Sequence, residues 1–151
     1  MNHIDAAQIM AADCLCFRAR RTARAITRAY DAALHPTGLK ATQITLMNAI
    51  ALGQNSMQPV AKLGETLGLE LSTLTRNLSV LERGGLVTVA RALADRRVRI
   101  VSLTDTGKTR LAAALPHWKE AHTTITAALG SETTNALYTA LDRATKALDV
   151  G

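Results

Sequence analysis

The sequence predicts a mainly α-helical chain carrying one small β element. Ala, Leu, Arg and Thr dominate, whereas Phe17, Tyr30, Trp118 and Tyr138 are all the aromatic residues. A sandwich or barrel needs aromatic and β-branched strands that this composition does not supply. Apolar residues recur at spacings of three and four along most of the chain, the helical period. That period is lost between Leu86 and Leu103, where β-branched residues cluster. With 151 residues, one domain with a real core is expected, needing no metal or disulfide staple.

Residues 9–34 read as one long helix. Ile9, Ala12, Cys16, Ala19, Ala23, Ile26, Tyr30 and Ala33 form its apolar stripe, and Arg18, Arg21 and Arg28 lie opposite. Pro36 and Gly38 end it. A second helix is expected from Ala41 to Ala51, with Thr42 as N-cap and Gly53 as stop. Residues 54–58 read as a loop. Pro59 then opens a short helix that buries Val60, Leu63 and Leu67 and closes at Gly68. After a tight turn, Leu71 or Ser72 starts another helix, with Leu74, Leu78 and Leu81 on its inner face. It stops at Gly84-Gly85.

The two β-branched runs, 86–89 and 98–103, predict a two-stranded hairpin whose tip spans Arg91 to Arg97. Thr104 caps the next helix, with Asp105 in its first turn, where a carboxylate suits the helix dipole. That helix is expected to reach Leu129, with Pro116 bending or restarting it. Gly130 breaks it, and Ser131 caps a last helix to Leu148 with Leu137, Leu141, Ala144 and Leu148 on one face.

Eighteen Lys and Arg against twelve Asp and Glu give a net charge of +6, which suggests a polyanionic partner. The apolar stretches at 44–52 and 126–129 are far below the ~18 residues of a membrane span, so no membrane partner is expected. Residues 1–10 lack the pattern of a secretory signal, and a reducing cytoplasm is the expected compartment. The two cysteines, Cys14 and Cys16, make neither a disulfide framework nor a four-ligand zinc site. His117 and His122 are five apart rather than four, and His3 and His35 are isolated, so no metal and no cofactor are expected. No Gly-rich phosphate loop, metal motif or nucleophile elbow occurs, hence no catalytic residue and no enzyme.

The functional signal is the middle segment: helix, short turn, helix, basic hairpin. A helix-turn-helix inserts its second helix into the major groove of duplex DNA, led by its N-terminal residues. Here these include Ser72, Thr73, Thr75, Arg76 and Asn77, hydroxyl, guanidinium and amide groups suited to base edges and phosphates. The hairpin then serves as a wing, with Arg96 and Arg97 at a tip able to enter the narrow, electronegative minor groove. Helix pairs with Ser and Thr are common, and a charge run is usually a solvated loop. The two together in a basic chain favour DNA binding. A winged-helix adaptor that binds protein and never touches DNA is the alternative, but it need not keep Arg76, Arg96 and Arg97 together.

From about Cys14 to Trp118 the sequence resembles the MarR family of winged helix-turn-helix transcription regulators. The matching segments are Gly38-Leu39-Lys40-Ala41-Thr42-Gln43, Ser72-Thr73-Leu74-Thr75-Arg76-Asn77-Leu78, Leu81-Glu82-Arg83-Gly84-Gly85-Leu86-Val87, and Asp95-Arg96-Arg97 followed by Val101-Ser102-Leu103-Thr104-Asp105-Thr106-Gly107. The resemblance implies a homodimer reading a pseudo-palindromic operator, usually as a repressor. Residues 1–38 and 108–151 would form the helical dimerisation region and 39–107 the DNA-binding region. It also implies that Asp95 fixes Arg97 for the minor groove. Apart from the resemblance, terminal helices with full apolar stripes need cover that a small winged helix offers poorly.

Release from DNA would follow a small organic ligand or oxidation of a thiol. Leu15-Cys16-Phe17, with Tyr30 fourteen residues on, resembles the organic-hydroperoxide-sensing branch, in which that cysteine reacts and that tyrosine helps hold it. The branch's other two pocket tyrosines are Arg20 and Ala41 here. On the residues alone, Cys16 lies on the apolar stripe, where a free cysteine is usually inert core. Arg20 one turn beyond Cys16, and Arg18 one turn beyond Cys14, offer each thiolate a cation. Within one helix the side chains of Cys14 and Cys16 would diverge by about 200°, straining any disulfide between them.

Overall fold

The computed structural model describes residues 2–148. Helix α1 spans His3–Asp13 and α2 Leu15–Leu34, followed by a single 3-10 turn, His35–Thr37. Helix α3 is Ala41–Ala51, strand β1 Met57–Pro59, α4 Val60–Leu67 and α5 Leu71–Arg83. Strands β2 (Val87–Arg91) and β3 (Arg99–Leu103) precede two long helices, α6 (Asp105–Leu129) and α7 (Ser131–Leu148).

The expected single helix over 9–34 is two helices, and it starts earlier. Asn2 opens α1 with a capping box, its side chain accepting from the Ile4 and Asp5 amides while Asp5 accepts from the Asn2 amide. At Cys14 the backbone swings to extended geometry, φ −70° and ψ 103°. The break is satisfied locally. Cys14 Sγ accepts the Phe17 N–H at 3.3 Å, and Arg18 donates to the Ala12 carbonyl at 2.8 Å.

Helix α3 has the expected bounds but a different cap. Lys40 is the N-cap and Thr42 lies inside the first turn. Gln43 Oε1 takes the Lys40 N–H at 2.9 Å, and Asp31 of α2 takes the Ala41 N–H at 2.7 Å. Two of the amides that a helix start leaves unpaired, those of Lys40 and Ala41, are thus served by Gln43 and Asp31.

Residues 57 and 58, expected as loop, and Pro59, expected to open the short helix, form a third strand. It pairs antiparallel with β3 through Met57↔Ser102, Gln58↔Val101 and Pro59↔Ile100, giving the sheet order β1-β3-β2. The expected hairpin is present, with Val87↔Leu103 and Arg91↔Arg99 as its outer pairs. Residues alternate across this sheet, so Val87, Val101 and Leu103 face inward. There they join Leu34, Met47, Ile50, Leu63, Leu74, Leu78 and Leu81 in one core.

Two close fits fix the small domain. Gly107, in the first turn of α6, sits against the Leu86 backbone, where a Cβ would collide with the Leu86 carbonyl. Thr104 caps α6 as expected, accepting the Gly107 N–H at 2.9 Å while its hydroxyl donates to the Gly85 carbonyl at 2.6 Å.

Pro116 neither ends nor restarts α6, which runs unbroken to Leu129. Pro116 and Ala112, whose carbonyl loses its helical partner, are both exposed, so the break in the ladder falls on the solvent side of the helix. Ser131 is the first residue of α7 rather than its cap, and the Gly130 carbonyl accepts the Thr134 N–H at 3.0 Å. The predicted faces of the terminal helices are covered only in part: Ile26, Tyr30, Ala33 and Leu137 are half-buried, and the rest lie open. No residue of α1 is buried, Leu141 and Leu148 are exposed, and Thr134 is the buried residue of α7. Among the described residues no helix is long and apolar enough to cross a membrane.

Candidate nucleic-acid interface

Helices α4 and α5 are joined by Gly68-Leu69-Glu70. The turn needs a left-handed residue, and Gly68 supplies it at φ 60°. The Leu69 N–H returns to the Gly64 carbonyl at 2.9 Å. Leu74, Leu78 and Leu81 anchor α5 inward, which fixes what it presents outward. Ser72, Thr73, Arg76 and Asn77 are exposed, and Thr75 is half-buried. At 100° per residue, Ser72, Arg76, Ser79 and Arg83 fall on one outward line, with Thr75 about 70° to one side, Thr73 about 90° to the other, and Asn77 about 130° round toward the inner face. The five candidates therefore share one helix but not one face.

Two further groups extend this surface. Arg83 lies on the outward line, its Nε donating to the Ser79 carbonyl at 3.3 Å. Asn77 opens onto a cleft of about 280 Å³ that it shares with Val80 and with Lys40, Thr42 and Gln43 at the start of α3. The period of Arg83 with Arg76, seven residues apart, is readable in the sequence. The approach of Lys40 is not, because it depends on tertiary packing.

The hairpin is held against α5 by Glu82, whose carboxylate accepts the Val89 N–H at 3.0 Å. Beyond the last strand pair the tip is ordered. Asp95 Oδ1 accepts the Arg97 backbone N–H at 3.0 Å and Nε at 3.2 Å, and Oδ2 accepts an Nη at 3.4 Å. These bonds hold the Asp95 carboxyl below its ordinary range, the Arg97 backbone amide contributing most and its side chain next. Arg97 itself remains almost wholly in solvent. Arg96 is exposed as well, and its carbonyl accepts Nη1 of Arg91 at 3.2 Å. Arg91 and Arg99 stand directly opposite across the strands. Like charges in that register oppose pairing, so this end of the hairpin concentrates positive charge at some cost to the fold.

The cysteines are elsewhere. Cys16 is exposed in the first turn of α2, not buried on a stripe, and Cys14 is half-exposed at the helix break. Because Cys14 lies outside the helix, the divergence expected of two cysteines within one helix does not apply. Tyr30 sits fourteen residues along α2, about 21 Å from Cys16 at the helical rise. Its hydroxyl pairs instead with His122 Nδ1 at 3.0 Å. Trp118 stacks on His122, with centroids 4.9 Å apart and planes 7° apart, and on Tyr30 at 6.2 Å. Burial, and secondarily the charge of Tyr138, raises the Tyr30 phenol above its usual range. The informative spacing is thus Trp118 to His122, one helical turn, rather than His117 to His122.

A helix-turn-helix with an ordered basic wing defines a winged-helix regulator. No family model matches the chain. It is 34% identical to the transcriptional regulator MosR of M. tuberculosis, crystallised in complex with DNA. That likeness covers 91% of this chain and all of MosR, with a TM-score of 0.77. It is 32% identical over 93 residues to the organic hydroperoxide resistance transcriptional regulator of Bacillus subtilis, and the match spans 62% of each chain. A mutant MarR from E. coli complexed with operator DNA shares the fold at 20% identity, covering 89% of this chain and 96% of that one, with a TM-score of 0.78. The chain belongs to the MarR family of winged-helix transcription regulators, a regulatory and not an enzymatic class.

Proposed function

We propose that the chain acts as a homodimer that reads a pseudo-palindromic DNA operator and represses transcription until a signal releases it. The observation that carries this reading is the Asp95–Arg97 fork, an arginine pre-oriented on an ordered tip and left in solvent. Ser72, Thr73, Thr75, Arg76 and Asn77 read the major groove, and Arg96 and Arg97 reach the minor groove. Residues 39–107 form the reading head, while 1–38 and 108–151 form the dimer. Residues 1 and 149–151 of these outer segments lie outside the described residues. The similarity to MosR, whose crystal contains DNA, supports the reading. The protein works where the DNA is, in the cytoplasm.

The test is fluorescence anisotropy with duplex selected from a random pool. Affinity falls by roughly tenfold or more between about 50 and 200 mM salt as phosphate contacts release counterions. An affinity flat in salt contradicts the reading.

For the signal we favour oxidation of Cys16. The thiol is exposed beside Cys14, and the Bacillus subtilis relative is named for organic hydroperoxide resistance. The thiolate takes one peroxide oxygen, releasing an alcohol, and the sulfenic acid then condenses with a second thiol, expelling water. Cys16→Ser retains DNA binding but ignores the oxidant, whereas Cys14→Ser still responds. Loss of the response in both variants identifies a Cys14–Cys16 disulfide as the released state. A small organic ligand is the second reading, favoured by a cleft of about 330 Å³ between α3 and α6 whose lining includes Ile44, Asn48, Leu115 and Trp118. Full retention of DNA binding after stoichiometric hydroperoxide selects it.

A further inference from the structure

Leu93, at the tip of the hairpin, is 104% exposed, above every other large apolar side chain of the described residues. Its turn is well ordered. The Ala92 N–H donates to the Val98 carbonyl at 2.8 Å, and the Val98 N–H donates to the Asp95 carbonyl at 2.9 Å. Strand pairing ends at Arg91↔Arg99, so residues 92–98 project beyond the sheet. The tip has two chemical characters. Ala92-Leu93-Ala94 is apolar, and Asp95-Arg96-Arg97 is charged. A side chain held in water on an ordered turn adds nothing to folding through burial.

The DNA minor groove is divided in the same way. Its electronegative interior attracts arginine, and the C–H faces of the deoxyriboses form apolar walls. We propose that Leu93 packs against the deoxyribose wall of the minor groove beside Arg97, contributing a salt-independent part of the wing's affinity. The proposal rests on the DNA-reading function above and adds a contact that charge alone does not provide. Ion-pair contacts weaken as counterions compete, whereas burial of the leucine methyl groups does not depend on counterion release.

The experiment titrates the full chain and its variants with the selected duplex across about 50–200 mM salt. Leu93→Ala weakens binding by about three- to tenfold at every salt concentration, the loss expected from partial burial of the removed carbons. The slope of log affinity against log salt stays that of the parent. Arg97→Ala instead lowers that slope by about one. Leu93→Met, of similar volume and still apolar, binds like the parent. Parent affinity for Leu93→Ala at every salt overturns the proposal. A changed slope for Leu93→Ala overturns it too, since Leu93 would then act by placing the arginines. Parental DNA affinity together with loss of a protein partner from the open sheet face, where Leu93, Met57 and Ile100 line one cleft, also overturns it. If the parent fails to bind duplex at all, the DNA-reading function falls, and this inference with it.

Discussion

The reading head and the terminal helices solve opposite problems. In the head, α3, α4, α5 and the sheet close on one another, and Met47, Leu63, Leu74, Leu78 and Val101 are fully buried within a single chain. The outer helices are different. Ile4, Ile9, Met10, Leu15, Phe17, Tyr138, Leu141 and Leu148 remain exposed on α1, the start of α2 and α7. So many exposed large apolar side chains on the terminal helices point to an interaction site. The core of the head closes within one chain, completed by Leu34 of α2 and Ala114 of α6, and in the proposed homodimer the outer helices take their remaining cover from a second copy. In a two-fold dimer, the same packing sets the distance between the two α5 helices.

The sharpest way to break this contrast is to perturb each region separately. Leu141→Asp puts a charge on the exposed stripe of α7. It converts the dimer to monomer and abolishes operator binding, while the core of the head keeps its packing. Sedimentation, and amide hydrogen exchange of the core of residues 39–107, check this. Leu78→Ala cuts a cavity in the head and costs about 2–5 kcal/mol of stability. The unfolding midpoint of the parent rises with protein concentration, because subunit association is part of its stability.

Within the head, Arg76 and Arg97 separate the two modes of reading. Arg76→Ala costs about 1–3 kcal/mol and relaxes preference at the base pairs that α5 contacts. Arg97→Ala weakens binding while leaving preference at those positions intact. Selection of bound DNA with each variant measures the difference. A folded, dimeric pair that both bind like the parent contradicts the docking.

The smallest effect lies between α2 and α6, beside the core of the head. Tyr30→Phe removes the hydrogen bond to His122 and costs about 0.5–1.5 kcal/mol. The Tyr30 phenol is raised in the folded state, so its contribution is complete below the ordinary phenol pKa of about 10. It is lost as pH rises through the folded value. The alkaline loss of stability is correspondingly weaker in Tyr30→Phe, as thermal melts at pH 8 to 11 test.

Most of the reading head was legible because its helices bury the residues that mark their period. Leu74, Leu78 and Leu81 state the inner face of α5, and Gly68 states the turn. Strand β1 was not legible. Three residues, Met-Gln-Pro, carry no period of their own and are extended only because β3 offers an edge. The break at Cys14 was hidden because the flanking segments are both good helix formers, and a cysteine rarely signals a cap. The pairing of Tyr30 with His122 joins residues 92 apart, and nothing local announces it. The Asp95–Arg97 fork was legible as a motif, since both partners lie in one short turn.

In the proposed function, a two-fold dimer presents two such heads to one duplex. Sedimentation velocity on the protein with its selected duplex, followed by footprinting of the same complex, tests it most directly. Two 16.1 kDa chains per duplex and two protected half-sites centred about 10 bp apart are expected. One chain bound to a single half-site would contradict it.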